Sequence, residues 1–208
     1  MKRVLLVRHA LTAYDIAGPE GRFCGRSDPP LSAAGIEEAI ATAEFLKEAR
    51  NDCVFCSPLA RAVQTADRIA TARAIRVVKD PLLSEIDYGD WEGLTKQEVV
   101  TRFGDAYDRF AADPFTHYPP GGESTENCLA RALEWINALT DDYVVAVTHK
   151  TWTRLLLCRL LAIPLTNYRR HIDVKIAGIT VLINTSSGWR LDALNYFATR
   201  KRILGLES

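Results

Sequence analysis

Five polar side chains, Arg8, His9, Arg61, Glu85 and His149, stand at the ends of apolar runs or at the starts of loops and helices in a chain of 208 residues. As a set they fit phosphoryl transfer through a covalent intermediate. A neutral imidazole is a competent nucleophile, and nearby cations with partial desolvation keep it neutral by lowering its pKa. His9 is the candidate for that role. Arg8 and Arg61 each carry a planar guanidinium fork able to hold two phosphate oxygens, a geometry that lysine lacks. His149, charged once substrate is bound, would stabilise the equatorial oxygens as charge builds on them. Glu85 would protonate the leaving oxygen and then deprotonate the attacking water.

These residues need elements to bring them together. Four consecutive apolar residues, Val4-Leu5-Leu6-Val7, suit a strand buried on both faces of a largely parallel sheet, and such sheets bind ligands beyond the carboxyl ends of their strands. Taken alone, the run through Arg8 and His9 reads better as a strand leaving the core through two solvated residues. The pattern recurs, however: Tyr143-Val144-Val145-Ala146-Val147 ends in Thr148-His149, and a helix from about Thr151 to Ala162 follows. Two such endings are much harder to explain by coincidence than one.

Between them, residues 10–30 have no period and contain Gly18, Pro19, Gly21, Gly25, Pro29 and Pro30, and a loop that long in a compact domain is usually functional. Ser32 reads as the N-cap of a helix to about Arg50, with Ile36, Ile40, Ala43, Phe45 and Leu46 as its apolar stripe. Cys53 to Cys56 is a short strand, and Ser57-Pro58 opens a helix carrying Arg61, Gln64 and Thr65. Ile75 to Val78 is a third strand. An irregular acidic stretch from Leu82 to Gly93 precedes a Thr95/Glu98 capping box. The pattern then weakens from Phe103 to Pro120 into helix-like pieces broken by Gly104 and Pro114, so residues 82–122 read as a lid-like insertion over the sheet. Ser124 or Thr125 caps the next helix, whose stripe is Leu129, Leu133, Ile136 and Leu139. Gly178 to Ile183 and Trp189 to Asn195 form an antiparallel hairpin at the edge. The alternation of strand and helix indicates an α/β doubly wound, mostly parallel sheet with an antiparallel edge strand. With no repeat or linker, residues 1–208 read as a single domain.

Lys+Arg and Asp+Glu are both 26, so there is no basic excess of the kind that nucleic acid or a membrane surface would need. No apolar run approaches a membrane span, and the opening one is too short for a signal sequence. Five cysteines, an odd number without framework spacing, agree with a cytoplasmic location. Cys53-Val54-Phe55-Cys56 has no second pair to complete a zinc site and reads as buried structure. Four histidines without H-x-H or H-E-x-x-H spacing disfavour metal-dependent hydrolysis.

The motifs also carry a resemblance. Arg8 to Asp15 resembles the R-H-G-x-T-x-x-N opening of the histidine phosphatase superfamily in its phosphoglycerate-mutase-like branch. Asp28 to Gly35 looks like that family's D-x-P-L-S-x-x-G, Ser57 to Thr65 its S-P-L-x-R-A-x-Q-T, and Glu85 to Gly93 its E-x-x-x-G-x-W-E-G. Pro120 to Ser124 matches its P-G-G-E-S turn, and His149 its second histidine. Motifs in this order over nearly the whole chain make a specific match. The resemblance implies a three-layer α/β/α sandwich, a phosphohistidine at His9, phosphate binding by Arg8, Arg61 and His149, acid catalysis by Glu85, and no metal or other cofactor.

Three positions depart from the pattern. Ala10 replaces glycine and adds a methyl group where the pattern's glycine would permit close approach or an unusual backbone angle. Asp15 replaces asparagine and would bring a negative charge near phosphate. Lys150 follows His149 where the family usually has glycine, and either contacts phosphate or fills the pocket. Asp15, Cys24, Gly25 and Lys150 are the candidate substrate contacts, and Phe23, Arg26, Tyr88, Trp91 and residues 103–120 the lining of the leaving-group pocket. Phe23-Cys24-Gly25 is similar to 2,3-bisphosphoglycerate-dependent phosphoglycerate mutases, but those carry an arginine directly after the acid and an arginine pair in a longer insertion. Here Ile86 follows Glu85 and no such pair occurs, so a substrate carboxylate lacks its expected clamp. The chain looks closer to the small phosphatases, among them alpha-ribazole phosphatases, acting on a small phosphorylated metabolite. The alternatives are the mutase and a catalytically weakened member that only binds a phospholigand; a homodimer is left open.

Overall fold

The computed structural model describes residues 1–15 and 21–197. Gly18 and Pro19 of the long loop, and residues 198–208 of the expected domain, lie outside the described residues.

Six strands form one sheet: β1 (Lys2–Arg8), β2 (Cys53–Cys56), β3 (Arg76–Lys79), β4 (Tyr143–Thr148), β5 (Ile179–Thr185) and β6 (Gly188–Tyr196). Their order is β3-β2-β4-β1-β5-β6. The first four run parallel; β5 pairs antiparallel with β1, and β6 antiparallel with β5. Helices α1 (Ala33–Phe45) and α2 (Ala60–Thr71) cover one face, and α4 (Thr125–Ala138) and α5 (Lys150–Leu160) the other; α3 (Lys96–Ala112) and a single turn, α6 (Tyr168–His171), complete the helices described. The expected three layers follow from the two-residue period of a strand. Val4 and Leu6 pack with α4 and α5, whereas Leu5 and Val7 pack with α1 and α2, which is why β1 is apolar at every core position.

Several boundaries differ from the sequence expectation for identifiable reasons. Helix α1 ends at Phe45 rather than near Arg50; Asn51 instead gives its carbonyl oxygen to Arg73, with Nη2 2.9 Å away. Its buried face is Gly35, Ala39, Thr42 and Ala43, while Ile40 and Phe45 of the expected stripe are exposed. A glycine is required at position 35 because the helix start lies directly on the backbone of Leu11, whose carbonyl oxygen accepts from the Ser32 amide at 2.9 Å. A Cβ on Gly35 would stand 2.0 Å from that same oxygen. Gly35→Ala is therefore expected to cost about 2 kcal/mol or more, read as a lower urea midpoint; an unchanged midpoint would show that the contact relaxes freely.

Helix α2 begins at Ala60, not at Ser57-Pro58. The Ser57 amide is used to extend the sheet, donating to the Val147 carbonyl, and the helix start is capped from afar by Asp28, whose Oδ1 accepts from the Ala60 amide at 2.6 Å. Strand β3 begins one residue later than expected because Ile75 closes the turn after α2, its amide donating to Ala70. The pieces expected after Phe103 are one helix with α3, bent at Phe103 (φ −133°, ψ 28°), and the capping box at Thr95 and Glu98 is present. Trp91, Val99 and Phe110, with Phe23 and Tyr88 against them, form the aromatic cluster that seats this helix. Ser124, not Thr125, caps α4, and the hairpin forms as expected. Among the described residues no helix is long and apolar enough to cross a membrane.

Candidate active site

Strand register brings the two histidines together. β1 and β4 are parallel neighbours with Val7 opposite Val147 and Arg8 opposite Thr148, so the next residues, His9 and His149, leave the sheet side by side. The His9 amide continues the ladder to the Thr148 carbonyl, and the two rings lie 5.1 Å apart between centroids. Nδ1 of His9 is 2.9 Å from the Ala10 carbonyl, which can only accept. Nδ1 is therefore the protonated nitrogen, and Nε2 keeps its lone pair. Burial first, then the charges of Arg61 and Arg8, press the His9 pKa down to about 3, which makes the ring a neutral nucleophile. His149 is fully buried and shifted well below the usual range, by burial first, then by Arg61, His9 and Arg8, and among the described residues neither of its ring nitrogens has a hydrogen-bond partner.

The guanidiniums are held in place by backbone carbonyls. Arg8 donates from Nη1 to Val174 and from Nη2 to Asp15 Oδ1, both at 2.9 Å. Arg61, completely buried, donates from Nη1 to Ser27 and from Nη2 to Gly25, both at 2.8 Å. The end-on fork expected from sequence is thus partly engaged by the protein. In both residues Nε is buried without a partner among the described residues, which leaves the Nε edge as the unused donor side. The peptides that grip Arg61 are themselves held from behind. The amides of Gly25, Arg26 and Ser27 all donate to the Glu92 carboxylate at 2.8 to 3.1 Å, and Tyr88 adds a fourth at 2.9 Å. Glu92 belongs to the acidic motif, yet sequence reasoning did not single it out.

Glu85 sits at the start of α5. Its Oε2 accepts from the Thr151 amide and its Oε1 from the Trp152 and Ile86 amides, at 3.0 to 3.1 Å. The backbone thus fixes the carboxyl beside the helix that begins immediately after His149.

Of the three departures, Ala10 is accommodated. It is absent from the residues with positive φ, and its methyl packs with Leu31, Ala39 and Ala177, so neither an unusual angle nor an open approach is needed there. Asp15 does point inward, bound by Arg8 and by the Thr12 amide and hydroxyl. Burial would raise its pKa, but His9, Arg8 and Thr12 outweigh it and the carboxyl is lowered, hence anionic. Asp15→Asn is expected to lower the inhibition constant of inorganic phosphate roughly threefold or more by removing like charge. A constant that stays the same or rises would mean the Asp15 charge does not act on the anion. Lys150 faces the same space, its pKa lowered to about 8 by burial and then by Arg154 and Arg8.

The space is a cleft of about 510 Å³. Arg8, His9, Asp15, Cys24, Glu85 and Lys150 all line it. The Cys24 thiol is pushed up to about 12 by burial and stays protonated. Arg61 and His149, both completely buried, do not line it, and neither does Gly25. Its amide and carbonyl are committed to Glu92 and Arg61, and a Cβ there would meet the Ile86 carbonyl oxygen at 2.0 Å, so it positions rather than contacts. The expected Phe23 and Tyr88 do reach the cleft, whereas Trp91 is buried in the aromatic cluster and Arg26 turns outward toward Glu123. Of the expected residues 103–120, Tyr107 lines the cleft, whereas sequence reasoning missed Arg22, Lys96, Arg154 and Arg169 in the wall. Only Arg154 carried a signal, standing one helical turn beyond Lys150.

Comparison with known proteins shows the family and the fold. The family model for the histidine phosphatase superfamily (branch 1) matches residues 4–196. Phosphoserine phosphatase 1 of Hydrogenobacter thermophilus is 31% identical over 172 residues, 81% of this chain and 80% of that protein. Adenosylcobalamin/alpha-ribazole phosphatase of Escherichia coli K12 is 30% identical over 166 residues, covering 78% and 80%. The solved structure of Bacillus stearothermophilus YhfR superposes with a TM-score of 0.85 at 25% identity, over 93% of this chain and 96% of that one.

Proposed function

We propose, for a chain that belongs to the histidine phosphatase superfamily (branch 1), that it hydrolyses a small phosphomonoester in the cytoplasm through a phosphohistidine at His9. It would do so as one domain, without a metal ion, with residues 82–122 as the lid over the cleft. One observation carries the reading: Arg8 Nε, Arg61 Nε and both ring nitrogens of His149 are buried and unpartnered among the described residues, while the charges of Arg8 and Arg61 act on both imidazoles. Unpaired buried donors are costly, and a tetrahedral oxyanion against His9 would accept one from each of the three side chains.

In the first step the Nε2 lone pair of His9 forms a bond to phosphorus as the bond from phosphorus to the leaving oxygen breaks, and Glu85 gives that oxygen a proton. Arg8, Arg61 and His149 hold the three remaining oxygens, with Arg61 braced from Gly25 and Ser27. In the second step water attacks phosphorus, Glu85 takes its proton, and the bond to nitrogen breaks, returning neutral His9 and inorganic phosphate. Asp15 and Lys150 would adjust how strongly the anion is held, and Cys24 would contact the substrate.

The test is turnover of p-nitrophenyl phosphate in the presence of a chelator, with a search for an acid-labile, alkali-stable phosphoprotein after quenching. A 2,3-bisphosphoglycerate-dependent mutase activity comparable to hydrolysis of any phosphoester would overturn the hydrolase reading. A wild-type protein that binds phosphate but turns nothing over, even after Ala10→Gly and Lys150→Gly, would leave a phospholigand-binding protein in its place.

A further inference from the structure

The cleft carries more positive charge than one phosphate requires. Its wall holds six cations, of which Arg22 is paired with Glu98 at 3.2 Å and Arg8 with Asp15, and besides Lys96 the remaining three are Lys150, Arg154 and Arg169. The phosphate position already has Arg8, Arg61 and His149. Lys150 and Arg154 stand one turn apart on α5, and Arg169 comes from α6, which packs on α5. Like charges this close inside a partly closed cleft repel, and little answers them. Arg154 has a 3.3 Å contact with Asp173, but Asp173 is also held by Lys175, and Arg154 Nε is buried without a partner among the described residues. No hydrogen bond or ion pair holds the Lys150 ammonium among the described residues. Arg169 has its guanidinium carbon 4.7 Å from the centre of the Phe110 ring, a contact that sets its direction without neutralising its charge.

We propose that Lys150, Arg154 and Arg169 form a second anion subsite, so that the preferred substrate is a phosphomonoester whose alcohol portion bears a further anionic group, a carboxylate or a second phosphate. The inference rests on the substrate phosphate lying at His9. The expected mutase-type clamp stays absent, and the cations proposed here come from α5 and α6 rather than from the segment after Glu85. The neighbouring hydroxyls of Tyr88 and Thr151, 2.9 Å apart, lie on the same stretch of wall and can share in the binding.

Three esters of one length separate the possibilities: propyl phosphate, 3-phosphonooxypropanoate and propane-1,3-diol bisphosphate. The wild type is expected to favour one or both of the doubly anionic esters over propyl phosphate by roughly tenfold or more in kcat/KM, the effect of one or two hydrogen bonds between charged groups. Whichever is favoured identifies the second group. In Arg169→Ala and in Lys150→Gln that ratio should fall toward one, mainly through KM; the second variant serves if the first does not fold. Equal kcat/KM for all three esters in an active wild type would overturn the subsite and leave the phosphatase reading standing. Calorimetric dissociation constants of the esters for His9→Ala, which cannot form the intermediate, read the subsite without turnover. There the same order of preference supports it, and equal affinities overturn it.

Discussion

His9→Ala is expected to lower kcat for p-nitrophenyl phosphate by on the order of 10⁴-fold or more and to abolish the acid-labile phosphoprotein. The size follows from what is lost. The other groups that would hold the anion remain: Arg61 anchored to Ser27 and Gly25, Arg8 to Val174, and His149 buried beside them. Inorganic phosphate should still bind, because its donors are in place. What disappears is the imidazole whose tautomer is set by a backbone carbonyl so that Nε2 is free to attack. The Ala10 carbonyl loses its donor, at a cost of about 1 kcal/mol, so thermal unfolding should move little. A variant that keeps turning over, with phosphate binding intact, would mean that the nucleophile is another group.

The second large effect depends on the leaving group. Glu85→Gln is expected to slow an alkyl phosphate by about 10²- to 10⁴-fold and p-nitrophenyl phosphate by less than about tenfold. An alkoxide cannot depart without a proton, whereas nitrophenolate can. The glutamine keeps the size of the side chain but has one acceptor oxygen in place of two, so it cannot receive all three of the Ile86, Thr151 and Trp152 amides. Some loss on both substrates is therefore built in, and the ratio between them is the informative quantity. Equal losses would assign Glu85 a purely structural part at the start of α5.

The sequence made the centre of this molecule readable and its rim much less so. His9 and His149 were visible because each ends a run of residues apolar on both faces, a pattern that a buried parallel strand imposes locally. Arg8 and Glu85 were visible from position and motif. The face of α1 was not, because periodicity assumes that a helix buries its largest residues, and here the close approach to Leu11 requires a glycine at position 35. The start of α2 was misplaced because its cap, Asp28, comes from 32 positions away. Arg169 left no trace at all: nothing local says that a cation in a four-residue turn will lie over Phe110 and face the cleft. Long-range placement of this kind is decided by packing, not by neighbours in the chain.

The three peptides from Gly25 to Ser27 lie between a buried cation and an anion. Their amides face the Glu92 carboxylate, and the carbonyls of Gly25 and Ser27 face the Arg61 guanidinium. Opposite charges are joined through polarised amide groups instead of touching, so the positive end is steadied without being quenched. An incoming anion then meets a guanidinium whose ion-pair partner, Asp28 Oδ1, stands back at 3.9 Å from Nη1 and leaves the Nε edge open to it.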